Sequence, residues 1–118
     1  MTINNALAGI AVKDVKVAVA WYKRLLGRAP DSRPMEQVAE WRFPSGGWVQ
    51  VFQSPGQAGT SSVTLSVSDI GQQIRELGSK GIAVGGLMNS TMVRIASIHD
   101  PDGNEIVFAE ARNATLAQ

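Results

Sequence analysis

Two stretches of the chain share one hydrophobic pattern. Gly9-Ile-Ala-Val-Lys-Asp14-Val and Thr64-Leu-Ser-Val-Ser-Asp69-Ile each alternate as a short strand and stop at an aspartate, an offset of 55 residues from 14 to 69. Such alternation places every second side chain on one face of a sheet. Each aspartate then opens a helix, because a carboxylate at the N-cap accepts hydrogen bonds from the free N–H groups of the first turn. Gln72, three residues after Asp69, is predicted to complete a capping box. The first helix would bury Val15, Ala18, Val19, Tyr22, Leu25 and Leu26, spaced three and four apart, and end at Gly27. The second would use Ile70, Ile74, Leu77 and Gly78 and stop near Gly81.

Three short strand candidates follow each helix. Module one offers a weak segment at 29–34, then Val38 to Phe43 and Trp48 to Gln53, joined across Pro44-Ser45-Gly46-Gly47. Module two offers Ile82 to Leu87, Met92 to Ile98 and Glu105 to Ala109, with Asp100-Pro101-Asp102-Gly103 as a type I hairpin turn. A stretch rich in small residues, Ser54 to Ser62, separates the two. The reading is a single α+β domain over 1–118, built as βαβββ twice, with module one at about 5–54 and module two at about 61–110.

Composition narrows the field. With 11 basic and 10 acidic residues the net charge is +1, and like charges do not cluster, so neither nucleic acid nor an anionic membrane is an expected partner. Absent cysteine removes disulfides and thiolate metal sites, which suits a cytoplasmic location. No basic segment followed by a long apolar run stands at the N-terminus, and no stretch of about 18 apolar residues occurs. The expectation is a soluble, unprocessed protein.

The segment Ile10 to Gly27, with Asp14, the Trp21-Tyr22 pair and Leu26-Gly27, together with the closing Asp100-Pro-Asp-Gly-Asn104-Glu-Ile-Val-Phe108, resembles the vicinal oxygen chelate superfamily. That superfamily includes glyoxalases, bleomycin-resistance proteins and extradiol dioxygenases. The resemblance covers roughly residues 5–110. It implies that each module curls a four-stranded mixed sheet into a half barrel, with its helix on the convex face and the two half barrels enclosing a small-molecule cavity. It also implies a metal site drawn from four positions, which fall here on Leu7, Gln50, Ser62 and Val107. Leucine and valine carry no donor, serine is a poor ligand at neutral pH, and only Gln50 could coordinate. The expectation is therefore no metal and no cofactor. Glu105 lies two residues before the carboxylate position, and a shifted register would still leave Leu7 and Val107 unsuitable.

On this fold, alternation sends Ala8, Ile10, Val12, Val63, Leu65 and Val67 toward the helices, and Leu7, Gly9, Ala11, Ser62, Thr64 and Ser66 toward the cavity. Trp48, Gln50, Phe52, Glu105 and Val107 would also face the cavity. Counting back through the hairpins adds Trp41 and Phe43 in module one, and Met92, Arg94 and Ala96 in module two. The candidate ligand-binding residues are thus Trp41, Phe43, Trp48, Gln50, Met92 and Arg94, an aromatic wall with an adaptable methionine and a guanidinium for an anionic group. The same aromatic residues could instead pack a core or a dimer interface, and Arg94 could pair with Glu105 or Glu40. His99, the single histidine, falls on the helix side as a cap of the Asp100 hairpin, or alternatively serves as a proton shuttle. Trp21 and Tyr22 read as packing residues.

Two function classes compete. The preferred one is a metal-independent binder of apolar or aromatic small molecules, similar to the bleomycin-resistance branch, sequestering a drug or metabolite between two subunits. The other is a metal-independent isomerase, lyase or hydrolase on a small carbonyl or polyketide-like metabolite, with Gln50 and Arg94 orienting substrate and Glu105 as base. A metal-dependent glyoxalase or dioxygenase conflicts with the ligand positions. Open strand edges and an apolar concave face predict a homodimer. The small, polar tail after Glu110 is expected to fray or to form a lid.

Overall fold

A computed structural model describes residues 2–111. The strand β1 (Leu7–Val12) is followed by α1 (Val15–Leu26), β2 (Ser32–Met35), β3 (Val38–Arg42) and β4 (Trp48–Gln53). After a 3₁₀ turn at Pro55–Gln57, the series repeats as β5 (Ser62–Ser66), α2 (Ile70–Ser79), β6 (Gly85–Asn89), β7 (Val93–His99) and β8 (Glu105–Ala111). The expected tail beyond Ala111 lies outside the described residues.

Both helices begin as the aspartates dictate. Asp14 accepts from the Lys16 N–H at 2.9 Å, and Asp69 accepts from the Gln72 N–H at 3.0 Å. The reciprocal half of the capping box does not form, because the Gln72 amide reaches forward to Glu76 instead. Gly27 ends α1 in the left-handed region, at φ 78°, where its N–H closes on the Lys23 carbonyl.

The strands pair in two mixed sheets of identical design, ordered β1-β4-β3-β2 and β5-β8-β7-β6. β1 is parallel to β4 and β5 to β8, while the remaining pairs are antiparallel. One side of each sheet is apolar and lies under its helix. In module one Ile10, Val12, Ala39, Trp41, Val49 and Val51 pack with Ala18, Tyr22 and Leu25. In module two Val63, Ala96, Ile98, Ile106 and Phe108 pack with Ile70, Leu77 and Ile82.

The hairpins correct the register expected from sequence. Phe43 N–H donates to the Gly47 carbonyl and Gly46 N–H to the Phe43 carbonyl, both at 2.9 Å, with Gly46 at φ 108°. The second hairpin repeats this, with Asp100 N–H to Asn104 O at 2.9 Å, Gly103 N–H to Asp100 O at 3.0 Å, and Gly103 at φ 96°. Each is a tight turn extended by one left-handed glycine, so the strands close at 43/47 and 100/104 rather than 44/47 and 100/103. That single added residue moves every side chain of β3 and β7 to the opposite face. Trp41 pairs with Val49, on the helix side, and Glu40 pairs with Gln50. Likewise Arg94 and Ala96 share the helix face with Glu110 and Phe108, while Ser97 and His99 join Val107 and Glu105 on the concave face.

The two modules are joined by a buried polar hub. Asp100 and Asn104 are 5% and 1% exposed, the two buried polar residues among the described ones. The Asp100 carboxylate accepts from the Tyr22 hydroxyl at 2.7 Å, the Asn104 amide at 2.8 Å, and the N–H groups of Asp102 and Asn104 at 2.9 Å. Asn104 in turn donates to the Ala11 carbonyl at 2.8 Å and accepts from Ser61 N–H at 2.9 Å. Ala11 N–H donates to Ser61 Oγ at 3.0 Å, so β1 and the start of β5 are bound to the β7–β8 turn and to one another.

Removing one donor from this hub leaves a buried carboxylate under-satisfied, so Tyr22→Phe should lower unfolding stability by about 1–3 kcal/mol in urea titrations. Burial and the adjacent Asp100 carboxylate push the Tyr22 phenol well above its ordinary value of 10.0. The unfolded chain therefore loses this proton first. Stability is complete below that value and falls as pH rises through it, by up to about 1.4 kcal/mol per pH unit. Urea titrations between pH 9 and 11, a range chosen to span the ordinary phenol value, should show this loss in the wild type and a flatter profile in Tyr22→Phe.

Candidate functional site

The concave face of module one is laid out in rows across β1, β4 and β3. Leu7, Trp48 and Arg42 form the first row, Gly9, Gln50 and Glu40 the second, and Ala11, Phe52 and Val38 the third. The Arg42 guanidinium lies over the Trp48 ring, 4.9 Å from its centroid. Glu40 sits partly buried, with Ser32 Oγ donating to one carboxylate oxygen at 2.9 Å and the Gln50 amide to the other at 2.8 Å. Phe52 covers Gly9, where a Cβ would stand 3.2 Å from the ring, so a larger residue there would press on Phe52.

Module two repeats the backbone with different side chains. Ser62, Glu105 and His99 form its first row, Thr64, Val107 and Ser97 its second, and Ser66, Ala109 and Ile95 its third. Ser62 Oγ donates to Glu105 at 3.3 Å. This face carries Glu105 and His99 among small and aliphatic residues and lacks the Trp48 and Phe52 rings of module one.

Two cavities open on these elements. The larger, about 880 Å³, is a cleft between β1 and β5: the strands are joined at Ala11 and Ser61, while Leu7, Ala8, Phe43 and Trp48 face Leu65, Ser66 and Val67 across it. The smaller, about 340 Å³, is lined by Asn5, Ala6, Leu7, Glu40 and Trp48.

Of the residues singled out from sequence, Trp48, Gln50 and Glu105 face the concave side, and Phe43 lines the rim of the cleft. Trp41 is fully buried beneath α1, its indole N–H donating to the Arg28 carbonyl at 3.0 Å and its ring 6.1 Å from that of Tyr22. Arg94 stands on the convex side opposite Glu110, whose carboxylate caps the Ile70 N–H at 2.8 Å. Met92 is 53% exposed in the β6–β7 turn and lines neither cavity. His99 is exposed on the concave face, not turned toward α2. Glu40 and Arg42 were missed. The signal for them was the glycine pair Gly46-Gly47, which allows the longer turn that brings both into the row of Gln50 and Trp48.

The four chelate positions fall in matching places, Leu7 and Ser62 on the first strands and Gln50 and Val107 on the fourth, all on the concave faces. Two of the four have no donor atom, and the Gln50 amide nitrogen is bound to Glu40. Among the described residues, no group of three histidine, cysteine, aspartate or glutamate side chains converges. The donor set does not fit a divalent ion.

The model of the Glyoxalase/Bleomycin resistance protein/Dioxygenase superfamily matches residues 3–108. The chain belongs to this superfamily. A glyoxalase/bleomycin resistance protein from Catenulispora acidiphila DSM 44928 is 34% identical, covers 92% of this chain with 99% of its own, and superposes with a TM-score of 0.83. TnmS3, an antibiotic binding protein from Streptomyces sp. CB03234, is 23% identical, with 94% and 98% covered and a TM-score of 0.81. A bleomycin-binding protein in complex with bleomycin shares the fold at 20% identity, with 93% and 100% covered and a TM-score of 0.77. Among curated proteins, no sequence matches. Within this superfamily fold the concave-face and core tryptophans, Trp48 and Trp41, now separate. Trp41→Ala should cost about 3–5 kcal/mol of stability, as large core truncations do, whereas Trp48→Ala, at a partly open position, should cost less than about 2. Urea midpoints of the two variants measure the contrast, and equal losses would contradict the assignment of faces.

Proposed function

We propose that this superfamily member is a metal-independent binding protein for apolar or aromatic small molecules, of the bleomycin-resistance kind. The observation that carries the reading is the replacement of a chelating set by a wall: where donors would stand, Leu7 and Val107 are hydrocarbon, and Trp48 and Phe52 flank Gln50 on the same face. Such a surface holds a flat ligand by stacking and area burial, with a few polar groups for orientation. The antibiotic-binding and bleomycin-binding proteins of the same fold support it. A metal-independent enzyme is less well served. Its trio of Gln50, Arg94 and Glu105 would need to converge, yet Arg94 stands on the convex side and the other two lie on different sheets.

The working unit in this proposal is a cytoplasmic homodimer. Leu7, Met35, Met88 and Met92 are each about half exposed or more, and a two-fold partner would cover such apolar surface and complete the open cleft. No helix among the described residues is long and apolar enough to cross a membrane.

Native mass spectrometry with and without added Zn²⁺, Ni²⁺, Mn²⁺ and Mg²⁺ tests these points together. The expected spectrum is a dimer with no stoichiometric metal, and any co-purified organic molecule would be lost from Trp48→Ala. One tightly held metal per chain would restore the metalloenzyme reading, and a monomer at micromolar concentration would remove the shared site.

A further inference from the structure

We propose that the concave face of module one selects flat aromatic ligands that carry a positive charge, Trp48 taking the ring and Glu40 the charge. This rests on the binding reading above and adds the chemical class of the ligand. Three observations support it. Glu40 lines the smaller cavity beside Trp48 and Leu7, so an acidic group and an aromatic ring share one recess. Its carboxylate is held by two neutral donors, Ser32 and Gln50, and the ion pair Arg28–Asp31 is the only one among the described residues, so no protein cation forms an ion pair with it. Those two donors fix the carboxylate in place, and a carboxylate can accept further hydrogen bonds beyond them. Finally, the Trp48 ring already attracts a planar cation, since the Arg42 guanidinium lies over it. Arg42 is exposed, and an exposed contact of this kind is weak enough to be exchanged for a ligand.

The arrangement also excludes an alternative. An anionic ligand drawn by Arg42 would have to approach Glu40, two residues along on the same face of β3. A charge-assisted hydrogen bond to a held carboxylate favours the cation, because a neutral analogue offers the acid no opposite charge.

Three planar dyes read the selectivity on the full chain by fluorescence anisotropy: proflavine, a cation; acridone, its neutral relative; and fluorescein, an anion. Proflavine should bind about tenfold or more tighter than acridone, with fluorescein weakest. Glu40→Gln should bring proflavine to within about twofold of acridone, and Arg42→Ala should leave proflavine binding equal or stronger. Equal binding of proflavine and acridone to the wild type would overturn the charge selectivity and leave the apolar binding reading standing. Fluorescein binding tightest would reassign the face to Arg42. A Glu40→Gln variant that loses its dimer while keeping its preference for proflavine would place Glu40 in a subunit contact, against the proposal. Failure of all three dyes to bind would sink the binding reading with it.

Discussion

The carboxylate of Asp100 is the interaction on which the two-module arrangement depends. It is buried, and a buried charge is tolerated only when hydrogen bonds satisfy it. Its four donors come from α1 and from the β7–β8 turn, and Asn104, itself bound to the carboxylate, extends the set to β1 and the linker. Each group is satisfied only if both modules sit at one relative position. Apolar contacts between the sheets would permit sliding, whereas hydrogen bonds with defined directions do not. The cleft between β1 and β5 inherits its shape from this anchor, because the strands are tied at one end and open at the other.

Duplication explains why the two concave faces can differ. The modules share strand order, parallel and antiparallel pairing and hairpin geometry, so their concave rows correspond position by position. Leu7, Trp48 and Arg42 in one module stand where Ser62, Glu105 and His99 stand in the other. The helix-side residues that form the core are apolar in both, while the concave residues are free to diverge. Module one concentrates the aromatic rings Trp48 and Phe52, and module two offers Glu105 and His99 among smaller residues. One repeated backbone thus carries two chemically different concave faces.

Much of this was determined by the sequence itself. The repeated aspartates, the spacing of Val15, Ala18, Tyr22 and Leu25, and the helix-ending Gly27 are local signals, each tied to a hydrogen bond or a buried stripe within a few residues. They suffice for two capped helices, two strand sets and the assignment of β1, β4, β5 and β8 to their faces. The loss of donors at Leu7 and Val107 was legible for the same reason, since β1 pairs with β4 and β5 with β8 in parallel, with no tight hairpin between the partners.

What only the tertiary structure decided was the register of β3 and β7. A strand has a side-chain period of two, so one extra residue in a turn reverses the whole strand, and neither strand's own composition reports it. Pro44 to Gly47 and Asp100 to Gly103 both read as four-residue turns, yet the left-handed Gly46 and Gly103 add a residue to each. Trp41, apolar and aromatic, suited either a core or a ligand wall, and the pairing with Val49 placed it under Tyr22. Arg94 moved to the convex face by the same step, and Glu40 and Arg42 moved in. The candidate site is thus a product of where two hairpins close, which is set by hydrogen bonding between strands and not by the residues that line the pocket.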